Sequence, residues 1–132
     1  MIIVDKALER REQEGNPIRV AMVGAGYMGR GIALQILTST RGIKLVAISN
    51  RTLSKAERAY RQAGIDRVIS VETVFQLEEA IYNKQYAVTD DAVLLGQAEG
   101  IEAVIEVTGT IEFGTHVVLK AIENGKHAIL MN

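Results

Sequence analysis

The glycines of Gly24-Ala25-Gly26-Tyr27-Met28-Gly29 are the residues of this chain best placed for chemistry, and the chemistry they suit is phosphate binding. A GxGxxG match alone is weak, because turns use glycine freely. Its surroundings strengthen it. The apolar run Ile18–Val23 leads into it and a helical pattern, Tyr27–Ser39, leaves it, inside a strand–helix–strand unit of about 30 residues. Each glycine then has a task. Gly24 permits a tight turn out of the strand, Gly26 leaves room for a pyrophosphate against the backbone, and Gly29 lets the helix pack close to the strand. The helix N-terminus offers unpaired N–H groups and a positive dipole end to the phosphates. The bland alternative is a glycine-rich turn with no ligand. Gly31 adds a further small residue on the helix.

The end of the second strand bears on which nucleotide is bound. Domains that bind NAD usually place an acidic residue there, about 20 residues past the glycine turn, to hold the ribose hydroxyls. Here the segment is Ser49-Asn50-Arg51-Thr52. Asn50 is neutral and does not repel a 2′-phosphate, while the planar fork of Arg51 suits phosphate oxygens and can stack on adenine. Ser49, Thr52, Ser54 and Lys55 are nearby donors. The alternative is a solvated arginine in an ordinary turn. NADP(H) is the first expectation and NAD the second.

A third segment, Val104-Ile105-Glu106-Val107-Thr108-Gly109-Thr110, reads as a buried strand beside the first one, at the switch point where ligands bind in doubly wound sheets. Thr108 and Gly109 are placed along the cofactor near its nicotinamide end. Glu106 is a carboxylate in an apolar strand and needs a partner; a hydrogen-bonded structural role is favoured over a catalytic one. His116 and His127 lack metal-ligand spacing and read as structural, and Asp90-Asp91 as a helix start. No catalytic residue and no metal ligand is assigned.

The elements that position these residues alternate between strand and helix, the pattern of a parallel sheet covered on both faces. After Ile18–Val23 and Tyr27–Ser39, whose Ile32, Ala33, Ile36 and Leu37 share a face, a strand is expected over Lys44–Ile48. A helix follows over Thr52–Ala63, with Leu53, Ala56, Tyr60 and Ala63 inward and Gly64 as its stop. The segment Ile65–Gly100 yields a strand at Arg67–Val71, a helix over Val74–Tyr82, a strand at Tyr86–Thr89 and a brief helix from Asp90–Asp91. A strand at Ile101–Val107, a helix over Ile111–Glu123 with Val117, Val118, Ala121 and Ile122 on one stripe, and a strand at Lys126–Met131 complete the series. Val4–Glu14 reads as a separate helix with a narrow stripe of Val4, Ala7 and Leu8, bounded by the turn cluster Gly15-Asn16-Pro17 and packed on the sheet edge or on a partner domain. The fold class is α/β, a three-layer, Rossmann-type doubly wound parallel sheet. Its division is an N-terminal helix over 1–15 and a dinucleotide-binding domain over 16–132.

Composition excludes several other classes. Hydrophobic residues at 48% and charged residues at 23% describe a globular chain and not a disordered one. A net charge of −1 gives no basic excess to attract a nucleic acid or an anionic membrane. No apolar run nears the roughly 18 residues that span a bilayer, and the start lacks the apolar centre of a secretory signal. The absence of cysteine removes disulfides and thiolate chemistry, and a cytoplasmic location is expected.

The runs RVAMVGAGYMGRGIALQI, VAISNRT, EAVIEVTGT and ENGKHAILMN together resemble the cofactor domain of homoserine dehydrogenases, from about Asn16 to Asn132. The likeness is greatest to the branch with a SAF-type C-terminal domain, which includes enzymes resembling deoxyxylulose-phosphate reductoisomerase. The resemblance implies NADP(H)-dependent hydride transfer on aspartate semialdehyde, homoserine or a related small carbonyl compound. By the same likeness Gly24, Gly26, Tyr27, Met28 and Gly29 match the pyrophosphate loop, Asn50 and Arg51 the adenosine-phosphate end, and Thr108 and Gly109 the nicotinamide side; Thr52 is taken with them as a cofactor-binding residue. The family's substrate-binding lysine and acidic residues fall beyond Asn132, so the partners expected are the dinucleotide, a C-terminal catalytic domain of the same protein and further copies in a homo-oligomer. The alternative is a non-catalytic domain that senses NADP(H).

Overall fold

In the computed structural model the chain is described over residues 2–131, with the side chains of 6–110 and 113–131. Six strands, β1 (Ile18–Val23), β2 (Ile43–Ser49), β3 (Val68–Ser70), β4 (Tyr86–Thr89), β5 (Ala103–Glu106) and β6 (His127–Leu130), form one sheet in the order β3-β4-β2-β1-β5-β6. Every neighbouring pair is parallel, so each connection crosses over through a helix. The helices are α1 (Ile2–Gln13), α2 (Tyr27–Ser39), α3 (Leu53–Gln62), α4 (Val74–Tyr82), α5 (Val93–Gln97) and α6 (Ile111–Glu123). The expected three-layer, doubly wound α/β fold is the one observed, and most boundaries differ from the expected ones by one or two residues.

Side-chain alternation along the central strands explains the three layers. Val20 and Met22 of β1, with Leu45 and Ile48 of β2, meet Ala33 of α2 and Ala56, Ala59 and Tyr60 of α3 on one face. Ala21 and Val23 join Leu77, Leu94, Leu95, Val117 and Ala121 from α4, α5 and α6 on the other. Strands buried on both faces read as continuous apolar runs, as Ile18–Val23 does. The register between β1 and β2 slips by one residue. Val20 faces Leu45 but Ala21 faces Ala47, so Val46 is an extra residue and shares a core face with Ala47.

Two apolar stripes differ from expectation. On α6, Val117 and Ala121 are buried, but Ile122 is 57% exposed. This helix packs on β5, the outermost strand β6 and the neighbouring α5, and one row of its side chains serves that contact. On α1, Ala7 is exposed and Leu8 half-buried, and the Val4 side chain lies outside the described residues. The helix is held by close backbone approach and by charge. Its described contacts lie ahead of β2 and β5. A Cβ added at Gly42, just before the central strand β2, would run into the Leu8 carbonyl. Arg11 pairs with Glu102 at 3.1 Å, ahead of β5, and donates to the Asn16 carbonyl at 2.7 Å.

Candidate functional site

The strands' C-terminal ends open onto a cleft of about 410 Å³. It lies where the order reverses, between β1, which runs into the glycine loop, and its neighbours β2 and β5. Backbone bonds stitch the three ends together: Gly24 N–H donates to Ser49 O at 2.8 Å and Val107 N–H to Val23 O at 2.9 Å.

The glycine loop has the geometry its spacing implies. Gly24 has φ of 108°, in the left-handed region, and a Cβ there would lie 3.1 Å from Val107 backbone carbon. Gly29 is buried beneath the loop, where a Cβ would sit 2.6 Å from Gly24 O. Gly26 is the opposite case: nothing lies within 4 Å of an added Cβ, and the position faces the cleft. Gly26 also caps α2 without any side-chain hydrogen bond. The first turn of that helix therefore presents its N–H groups to whatever occupies the cleft.

Asn50 has a role that its position in the sequence did not disclose. Its Oδ1 accepts the Ala25 N–H at 3.0 Å and its Nδ2 donates to Thr52 O at 3.0 Å. The side chain thus ties the glycine loop to the turn after β2. Arg51 is exposed on the same cleft and makes no ion pair or hydrogen bond among the described residues; Lys55 of α3 stands beside it. Asp90 lines the cleft as well, because β4 lies next to β2 and Asn50 N–H donates to Thr89 O at 3.1 Å. Reading Asp90-Asp91 together as a helix start is half right. Asp91 Oδ1 accepts the Val93 N–H at 3.1 Å at the start of α5, while Asp90 faces the cleft.

On the β5 side, Glu106 is buried, and its Oε1 accepts both the N–H of Thr108, at 2.7 Å, and the Thr108 hydroxyl. Thr108 Oγ1 in turn accepts the Thr110 N–H at 3.2 Å. A Cβ on Gly114 would lie 2.7 Å from Glu106 Oε2, so α6 packs its first turns against the carboxylate. Glu106 therefore shapes the loop that carries Thr108.

Among the expected site residues, the structure brings Gly24, Gly26, Asn50, Arg51, Thr52 and Thr108 into one cleft. Gly29 lies beneath it. Tyr27 and Met28 stand exposed on the first turn of α2 and do not line it, and Gly109, with φ of 73°, lies in the loop beside it. Ala25, Asp90, Thr110 and Phe113 line the cleft without having been singled out for it. His116 and His127 are both exposed and outside it.

The oxidoreductase family of Gfo/Idh/MocA type, described as an NAD-binding Rossmann fold, matches residues 18–131. This chain belongs to that family. Over 116 residues it is 31% identical to a homoserine dehydrogenase of Methylobacillus glycogenes, covering 88% of this chain and 25% of the relative. Over 109 residues it is 32% identical to scyllo-inositol 2-dehydrogenase (NAD(+)) of Bacillus subtilis (strain 168), covering 83% and 26%. The crystal structure of scyllo-inositol dehydrogenase from Lactobacillus casei with bound NAD(H) and scyllo-inositol superposes with a TM-score of 0.65 at 22% identity, over 87% of this chain and 28% of that one. At that identity the superposition speaks for the fold. The chain spans about a quarter of the length of these relatives. The resemblance read from the sequence is therefore placed more broadly: the family is Gfo/Idh/MocA, with inositol dehydrogenases beside a homoserine dehydrogenase among the relatives.

The site fits the nicotinamide dinucleotide of this family. The open space over Gly26 and the uncapped first turn of α2 suit a pyrophosphate, and the cations of Arg51 and Lys55 suit an adenosine end. Thr108 and Thr110 bring hydroxyls to the β5 side. Bound there, the dinucleotide would supply hydride chemistry, and these residues would hold and orient it.

Proposed function

We propose that the chain is the NADP(H)-binding domain of a homoserine dehydrogenase-like oxidoreductase that moves hydride to or from a small carbonyl or hydroxy compound. The observation that carries the cofactor choice is the end of β2, where Arg51 and Lys55 face the cleft and no carboxylate comes from that strand. In this reading residues 16–132 are the dinucleotide domain, residues 1–15 form an accessory helix, and the catalytic residues belong to a further domain of the same protein. Gly24, Gly26 and Gly29 form the pyrophosphate loop, Asn50 braces it, Arg51 and Thr52 serve the adenosine end, and Thr108 and Gly109 flank the nicotinamide. Hydride transfer needs the substrate carbon held about 3–3.5 Å from the ring with a proton donor beside it. Among the described residues, those of the cleft suit the orienting of a cofactor and build no substrate pocket.

NAD(H) is the competing reading, favoured by Asp90, which brings a carboxylate to the cleft, and by the NAD(+) in the name of the Bacillus subtilis relative. Calorimetric titration of Arg51→Ala with both nucleotides separates the two. A charge-assisted hydrogen bond is worth about 1.5–3 kcal/mol, so NADPH affinity should fall on the order of 10- to 150-fold while NADH affinity stays nearly unchanged. Equal losses for both nucleotides would sink the NADP(H) assignment.

A further inference from the structure

The N-terminal ends of the strands hold a second cleft, of about 700 Å³, at the opposite end of the sheet from the glycine loop. Three cations line it. Arg19 of β1 and Lys44 of β2 are direct partners in the parallel register, so their side chains leave the same face of the sheet side by side. Like charges in that position repel. Lys84 adds a third charge from the turn before β4, the other neighbour of β2. It is the sole non-glycine residue with a left-handed backbone among the described residues, at φ of 59°, where glycine would be strain-free.

Protein groups offset this cluster only in part: Glu78 and Glu99 also line the cleft, and the charge of Arg19 acts on Glu102. Neither Lys44 nor Lys84 forms an ion pair among the described residues. The Lys44 ammonium lies 5.2 Å from the Tyr86 ring centroid. Its pKa is pushed down, first by burial and then by Lys84 and Arg19. The two carboxylates of the lining have other partners besides these cations. Glu78 Oε2 accepts the Glu99 N–H at 2.8 Å, and the charges of both act on Lys126. Glu102 holds Arg11 and the Arg19 backbone N–H, leaving the Arg19 guanidinium on the Gly100 carbonyl at 2.7 Å. Apolar walls complete the cleft: Pro17, Ile81 and the ring of Tyr82, which is 87% exposed. A concavity of this size with convergent cations and apolar walls has the make-up of a small-molecule site.

We propose that this cleft binds a small phosphorylated molecule, its phosphate held by Lys44, Lys84 and Arg19 and its apolar or planar body laid against Ile81 and Tyr82. The ligand offsets the repulsion built into the cluster, so its binding stabilises the fold. The proposal is independent of which nucleotide the glycine loop takes.

The test is calorimetric titration of the protein with inorganic phosphate and with phenyl phosphate, at an ionic strength held constant with chloride. Wild type, Lys44→Met and Lys84→Gly are compared. Lys84→Gly suits the backbone it replaces, so it should melt at or above the wild-type temperature and still lose at least about tenfold in phosphate affinity. Lys44→Met should lose a similar factor, and phenyl phosphate should bind more tightly than phosphate. Unchanged binding in folded Lys84→Gly, or no heat beyond that of chloride, would each overturn the phosphate site. Phenyl phosphate binding no more tightly than phosphate would overturn the part assigned to Ile81 and Tyr82.

Discussion

Gly26 and Gly29 sit three residues apart and should respond in opposite ways to a side chain. Gly26 has open space around it and a φ of −77°, which any residue adopts, so Gly26→Val should fold normally. Its branched side chain would stand where a pyrophosphate has to approach, and affinity for NADPH and NADH should disappear together. Gly29→Ala brings a Cβ within 2.6 Å of the Gly24 carbonyl, so the loop must shift and the melting temperature should drop. Thermal melts and titrations of the two variants check this, and a folded Gly26→Val that keeps its affinity would place the nucleotide elsewhere. The placing of Gly24, Gly26, Gly29 and Arg51 at or beneath one cleft was legible in the sequence because it is set by neighbours a few residues away. The ties of Asn50 and the placing of Asp90 were not. Asn50 reaches Ala25 across 25 positions, and Asp90 enters the cleft because β4 lies beside β2. Strand order is a property of the folded sheet, and no local pattern in the sequence specifies it.

The helices were readable because apolar spacing fixes their existence, whereas their rotation against the sheet depends on what they cover. Hence the ends of α2, α4 and α6 were placed correctly while the inward stripe of α6 was drawn too wide. Helix α3 shows how one residue serves two elements. Tyr60 is fully buried, packs against Tyr86 with ring centroids 5.2 Å apart, and donates its hydroxyl proton to Leu45 O of β2 at 2.9 Å. Tyr60→Phe should cost about 1 kcal/mol, measured by urea unfolding at pH 8. Burial, and then Tyr86, raise the Tyr60 pKa well above 10.0. Above about pH 10 the unfolded chain therefore loses a proton that the native state keeps, and stability declines as pH rises. The phenylalanine variant lacks that phenol and should show a shallower alkaline decline. Parallel pH profiles for the two proteins would refute the link.

The whole molecule is expected to bind NADP(H) and to leave it unreacted. Assays of NADPH oxidation with aspartate semialdehyde, and separately with deoxyxylulose phosphate, should give no turnover by this chain. Turnover at the rate of a full-length enzyme would place catalytic residues within Met1–Asn132. The two margins of the sheet differ in a way that bears on association. At one margin β3 is three residues long and preceded by Asp66 and Arg67, a short, charged border that discourages pairing. At the other, β6 is followed by Met131 and carries Ile129 and Leu130 exposed, with Leu119 and Ile122 exposed on α6. The β3 margin is less apolar but not bare, since Ile69 on it is 39% exposed. Two copies joined at β6 about a twofold axis would bury the more apolar margin of both. Sedimentation should accordingly show monomer and dimer in exchange as concentration rises, and assembly into larger species without a dimer would count against a seam at β6.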